Sequence, residues 1–264
     1  MKTKGWSRQA VIASLPIVIY VISRLLSLLW SPRPWGSTDY LFPSLVVLVV
    51  LLMGAGLGVV KRLPPWSYSW VIFCVLSLSD LAQAYVARSA PSAREFGMAA
   101  SLVSWAAFFV ILIIAVLASF RSVRFAIFTV LLSALYRALS FPIFPRSSAL
   151  SSINSSAVIW VLAIVAVAEA AFAVFAVASF LDSQGKPEVR CLYLLAAIIL
   201  VDPLLNGWAF GLILSGGSFA STLRSVVVIA GGTWASTGIA LLIAWGLSKL
   251  AHRLTGGRAL ENES

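Results

Sequence analysis

Apolar residues in this chain come in blocks of about twenty, separated by short polar punctuation. The blocks fall at roughly 10–30, 42–60, 67–87, 98–119, 124–143, 157–181, 190–212 and 225–248. Each is close to the ~20 residues that a helix needs to cross a hydrocarbon core about 30 Å thick. The gaps read "SPRPWGST", "KRLPPWS", "RSAPSAREFG" and "DSQGKPEVR", where proline, glycine, serine and charge end helices. Ten-residue segments of alternating polarity, the mark of a membrane barrel, do not occur. With no water to satisfy the backbone, the remaining solution is the helix. The pattern predicts an all-α polytopic integral membrane protein with eight transmembrane helices.

Composition agrees. Of 264 residues, 61% are hydrophobic and 11% charged, too few polar groups to cover a soluble domain of this size. The net charge of +10 raises nucleic acid as a partner, but the basic residues lie in short connections between apolar blocks. There they set orientation, and the bilayer rather than nucleic acid is the expected partner. With the N-terminus inside, twelve fall on inner connections and tails: Lys2, Lys4, Arg8, Lys61, Arg62, Arg121, Arg124, Lys186, Arg190, Lys249, Arg253 and Arg258. Five fall outside: Arg33, Arg88, Arg94, Arg146 and Arg224. This bias predicts a multi-pass protein of the cell membrane with both termini cytoplasmic. The opening "MKTKGWSRQAVIASLP" starts like a signal peptide, yet its apolar run continues through Trp30 without an A-x-A site, so a retained first span is expected. Cys74, Cys191 and the single His252 cannot assemble a disulfide framework, a metal cluster or a haem site, and no metal or cofactor is expected.

The two arginines left over lie within spans, and their surroundings repeat. "RLLSLLWSPR" from Arg24 and "RALSFPIFPR" from Arg137 share R-x-L-S-x-x-x-x-P-R at an offset of 113, as do Arg8 and Arg121. Pro65 precedes Asp80 by fifteen residues and Pro187 precedes Asp202 by fifteen, at an offset of 122. Trp105, Ile114, Ala115 and Ser119 match Trp234, Ile243, Ala244 and Ser248 at 129. Offsets that grow along the chain are what loop insertions produce. Two tandem four-helix halves, 1–122 and 123–264, are therefore expected. An even number of spans per half gives both the same orientation, a parallel repeat about an axis along the membrane normal.

At about 1.5 Å per residue, Arg24, Arg137, Asp80 and Asp202 all fall near one level, roughly 20 Å from the inner surface. Glu169 reaches a similar depth. Ionisable groups there cost several kcal/mol unless paired or hydrated. One reading is a duplicated pair of structural ion pairs, Arg24–Asp80 and Arg137–Asp202. The other is a polar cavity, in which Gln83 and Asn206 adjoin the acids on their helix faces. Pro203 removes a backbone donor, so the seventh span is expected to kink or open beside Asp202. Glu169 faces Val47 in the repeat and has no basic partner left at its level. An isolated carboxyl in such a setting favours its neutral form and is a candidate proton carrier.

Other signals reduce to packing or anchoring. Gly54–Gly58 and Gly207–Gly211 have the G-x-x-x-G spacing of close helix contacts and lack the lysine of a phosphate loop. No G-x-S-x-G is present, and His252 lies outside the spans, so a Ser–His hydrolase is not expected. Three functional classes remain open. The favoured one is a small-solute or proton-coupled transporter with its site among Arg24, Asp80, Arg137, Glu169, Asp202 and Asn206. The others are an accessory or scaffolding subunit, as a homo-oligomer or within a membrane complex, and a lipid-directed membrane enzyme using Asp80 and Asp202.

Overall fold

The computed structural model describes residues 7–30, 38–89, 93–119, 123–140, 155–182, 189–215 and 218–261. Within them the regular elements are eight α-helices: α1 (Arg8–Trp30), α2 (Thr38–Val60), α3 (Ser67–Ser89), α4 (Ala93–Ser119), α5 (Val123–Ser140), α6 (Ser155–Asp182), α7 (Val189–Ser215) and α8 (Phe219–Glu261). Every expected apolar block is a helix. Among the described residues, three are long and apolar enough to cross a membrane, over Ser101–Ser119, Ile164–Leu181 and Phe219–Leu247. The all-helical fold with its apolar helices is compatible with a membrane protein.

The largest boundary difference is at α8, whose 43 residues span about 65 Å at 1.5 Å per residue, roughly twice a hydrocarbon core. Lysine, leucine, alanine and arginine after the apolar window are good helix formers, so loss of hydrophobicity does not end the helix. Lys249 lies over the Trp245 ring at 3.9 Å where the apolar window gives out, a cation–π contact suited to a water-facing end.

Helix α5 is the centre of the bundle and packs against every other helix except α2. Its sequence explains this: Phe128, Leu132, Leu135, Tyr136 and Leu139 bury large groups in several directions, and a helix apolar all round belongs inside. Tyr20 of α1, Phe73 of α3 and Tyr136 of α5 form one ring cluster, with centroids 4.4 to 5.7 Å apart. Phe128 stacks on Phe180 of α6 at 4.3 Å. By contrast α2, α4 and α8 carry many exposed large apolar side chains, such as Met53, Leu102, Ile113, Val227 and Leu242. In a bilayer those faces meet acyl chains.

Two local devices hold α1 and α2 onto α3. Pro16 lies inside α1 and gives no hydrogen to the carbonyl of Ile12, one turn earlier. The Trp70 indole of α3 donates to that carbonyl at 2.9 Å, and Ser69 Oγ donates to the next one, Ala13, at 2.6 Å. On the other side, added Cβ atoms at Gly54 and Gly58 would collide with Trp70 and Ser67 respectively. The G-x-x-x-G spacing therefore serves close packing of α2 on α3, as expected. Helix α2 ends with Leu63 N–H donating to the Gly58 carbonyl at 2.8 Å and Arg62 N–H to that of Val59 at 2.9 Å. This is a Schellman closure, with Arg62 at φ 60° in the position glycine usually fills.

Within each half of the chain the packing corresponds. The contacts α1–α2, α1–α3, α2–α3 and α3–α4 recur as α5–α6, α5–α7, α6–α7 and α7–α8. Between the halves it does not follow a two-fold exchange. Helices α1 and α6 pack, as do α4 and α5, but among the described residues α5–α2 and α8–α1 are not closely packed pairs. Helix α5 is central, whereas α1, its counterpart in the expected repeat, lies to one side.

Candidate functional site

Three of the ionisable residues singled out from the sequence, Asp80, Arg137 and Asp202, line one cavity of about 630 Å³, bounded by α3, α4, α5, α7 and α8. From α3 come Leu76, Ser79, Asp80 and Gln83, one face of a helix at spacings of three and four. From α5 come Tyr136, Arg137 and Ala138, and from α7 Asp202 and Pro203. Helix α8 contributes a hydroxyl stripe, Thr233, Ser236 and Thr237, beside Gly232.

Asp80 is held from α5. The Tyr136 hydroxyl donates to Asp80 Oδ2 at 2.8 Å and lies 3.2 Å from Ser77 Oγ, while the Arg137 guanidinium attracts the same carboxylate. Tyr136 is 1% exposed, so this bond ties the cavity wall to the central ring cluster. The aspartate of the first half thus acts on the arginine of the second, because α3 packs directly against α5. The side chains of Arg24 and Asn206 lie outside the described residues. Gln83 Nε2 donates to Ser104 Oγ of α4 at 3.1 Å and approaches Ser79 Oγ at 3.4 Å, which fixes the amide across the α3–α4 contact.

Asp202 is 2% exposed and Glu169, on α6, 8%. Helices α6 and α7 pack together, which brings the two acids near each other. Two carboxylates in close approach repel, so such a pair holds a proton more readily than a lone acid does. One Glu169 oxygen, Oε2, is buried with no hydrogen-bond partner among the described residues. Among the described residues the ionisable group that acts on Glu169 is a second acid, Asp202. Glu169 does not itself line the cavity. Asp202 stands at the wall, and Glu169 lies behind it.

No family model, curated protein or solved structure matches the chain. What the site can do is therefore read from its own geometry.

Pro203 is buried beside Asp202, and α7 continues through it from Val189 to Ser215. The expected opening is absent there, and the local consequence is one missing helical hydrogen bond, at the Ile199 carbonyl. Sequence reasoning passed over Tyr136, Ser104 and the α8 hydroxyls. Tyr136 was findable as the neighbour of a membrane arginine. Thr233, Ser236 and Thr237 sit three and four residues apart on an apolar helix, a polar stripe that a search for charge does not register.

Proposed function

We propose that this chain is a proton-coupled transporter of a small solute, which binds in the cavity between α3, α4, α5, α7 and α8. The observation that carries the reading is the Asp202–Glu169 pair. One acid at the wall of an amphipathic cavity lies near a second, buried acid, an arrangement that can take up or release a proton as the cavity fills. A cavity of about 630 Å³ lies within the range of small-molecule sites. The site takes helices from both halves, which accords with two tandem four-helix repeats at 1–122 and 123–264 and eight spans. The matched Arg, Pro, Asp and Trp offsets and the corresponding contacts within halves support the repeat. The basic-residue bias supports cytoplasmic termini in the cell membrane.

The test is a solute survey in liposomes that hold the full chain and a luminal pH dye. At least one solute should drive proton movement in the wild type and fail to do so with Glu169→Gln. A survey of neutral, cationic and anionic solutes with no protein-dependent proton movement would reject the proposal. Topology is checked separately by single-cysteine labelling, which from outside should modify 147–156 and spare 183–189.

A further inference from the structure

We propose that the solute is a lipid-like amphiphile that enters from the bilayer, its polar headgroup in the cavity and its hydrocarbon chain left between α4 and α8. This deepens the transporter reading and rests on it.

The shape of the cavity carries the argument. Its wall on α3, α5 and α7 lies deep in the bundle, where Ser79, Tyr136 and Asp202 are buried. Its wall on α8 does not. Val228 is 64% exposed, and a Cβ added at Gly232 meets nothing within 4 Å, although both residues line the cavity. The cavity is therefore a cleft with its open edge along α8.

The way α4 and α8 meet explains that edge. Ala115 of α4 clusters with Ala240 and Ala244 of α8 and Val130 of α5, and small side chains let helices approach closely. About three turns earlier on each helix stand Ser104 and the pair Ile229 and Thr233, and at that level the cavity lies between α4 and α8. The two helices run in the same direction, close at the alanines and spread around the cleft. Gly231 and Gly232 face open space there and offer no side chain to seal it.

This edge is at hydrocarbon depth. Val228 and Gly232 lie near the middle of the apolar stretch Phe219–Leu247, and their neighbours Val227 on α8 and Trp105 on α4 are exposed. A water-soluble solute arriving there must first leave water for acyl chains, whereas an amphiphile held by its own chain is already in that layer. A headgroup drawn out of water needs replacement hydrogen bonds. Gln83 and Ser104 supply them from one side of the cleft, and Thr233, Ser236 and Thr237 from the other. At about 630 Å³ the cavity encloses a drug-sized group, so it takes a headgroup and leaves the chain outside.

Paired probes separate the chain from the headgroup. Lysophosphatidylcholine, lysophosphatidylethanolamine and lysophosphatidylglycerol are each compared with the chain-free glycerophosphodiester of the same headgroup, on liposomes that hold the full chain and luminal pyranine. At least one lysolipid should move protons several-fold faster than in protein-free liposomes, and its chain-free partner should not. Binding is read separately in detergent, where the anisotropy of a chain-labelled fluorescent lysolipid should saturate and be reversed by the unlabelled compound. Gly232→Leu fills open space at the edge of the cleft and should weaken both responses several-fold. Gly246→Leu also enters open space on α8, away from the cavity, and should change neither. Two results overturn the inference: a chain-free partner that acts as fast as its lysolipid, or equal effects of Gly232→Leu and Gly246→Leu. If the solute survey finds a coupled solute without a chain while every lysolipid is inert, the transporter reading survives and the amphiphile assignment falls. Saturable binding lost in Gly232→Leu, with no proton movement from any solute, supports the amphiphile site and rejects the proton-coupled reading.

Discussion

Trp70 should matter to stability mainly through one hydrogen bond, and only because of Pro16. The indole donates to the Ile12 carbonyl at 2.9 Å, and that carbonyl is the one Pro16 leaves without its helical donor. Trp70 is 8% exposed, so water does not readily replace the indole. Trp70→Phe then has two costs. It strands a buried carbonyl, about 1–3 kcal/mol, and it leaves space over Gly54, where the larger ring now packs. Pro16→Ala restores a helical N–H to Ile12, so in that background only the packing cost remains. The double-mutant cycle should return a coupling of about 1–3 kcal/mol, a factor of roughly 5 to 150 in the unfolding equilibrium. Unfolding in mixed detergent–SDS micelles, followed by far-UV circular dichroism, measures all four variants without depending on the tryptophan signal. If Trp70→Phe costs the same with and without Pro16, within about 0.5 kcal/mol, the indole is not compensating for the proline and the account of the α1–α3 contact is wrong.

Three further outcomes follow from single contacts. Arg62→Gly should stabilise the protein by about 1 kcal/mol, since Arg62 holds φ 60° at the end of α2 and a side chain in that region costs about that much; a loss of stability in the same micelle titration would count against the Schellman closure. Gly207→Val should destabilise by at least about 2 kcal/mol, because even a Cβ there would lie 2.7 Å from the Val226 backbone of α8. Gly231→Ala, which enters open space, should leave the midpoint nearly unchanged. Tyr136→Phe removes the bond to Asp80 and should cost about 1.5–3 kcal/mol, the range for a bond to a charged group, with a readout in proton-coupled flux that Ser133→Ala, at a self-capped hydroxyl of the same helix, should not show.

Much of the site was legible because its residues are chemically out of place. Asp80, Arg137, Glu169 and Asp202 stand out in apolar runs, and depth along a helix follows from counting residues. Azimuth does not follow from counting, and azimuth chooses partners. Arg137 was expected to meet Asp202 within its own half; it also feels Asp80 of the other half, because α3 lies against α5. Glu169 lacked a basic partner on paper and lies near another acid, Asp202, a pairing that sequence arithmetic over opposite charges does not consider. Thr233, Ser236 and Thr237 carry no signal of their own until α8 turns them toward the cavity.

The sequence by itself determined the helical class and the eight apolar segments. Each of these depends on local composition: backbone hydrogen bonds must close within the segment, and helix length must match hydrocarbon thickness. Only the tertiary structure decided that α5 is central while α1 lies to the side, that Trp70 serves the carbonyl freed by Pro16, and that Asp202 lines the cavity while Glu169 does not. Those outcomes depend on which helix faces meet. Packing of side chains from distant segments sets them, and the many apolar faces of this chain would satisfy a lipid environment almost equally well in other arrangements.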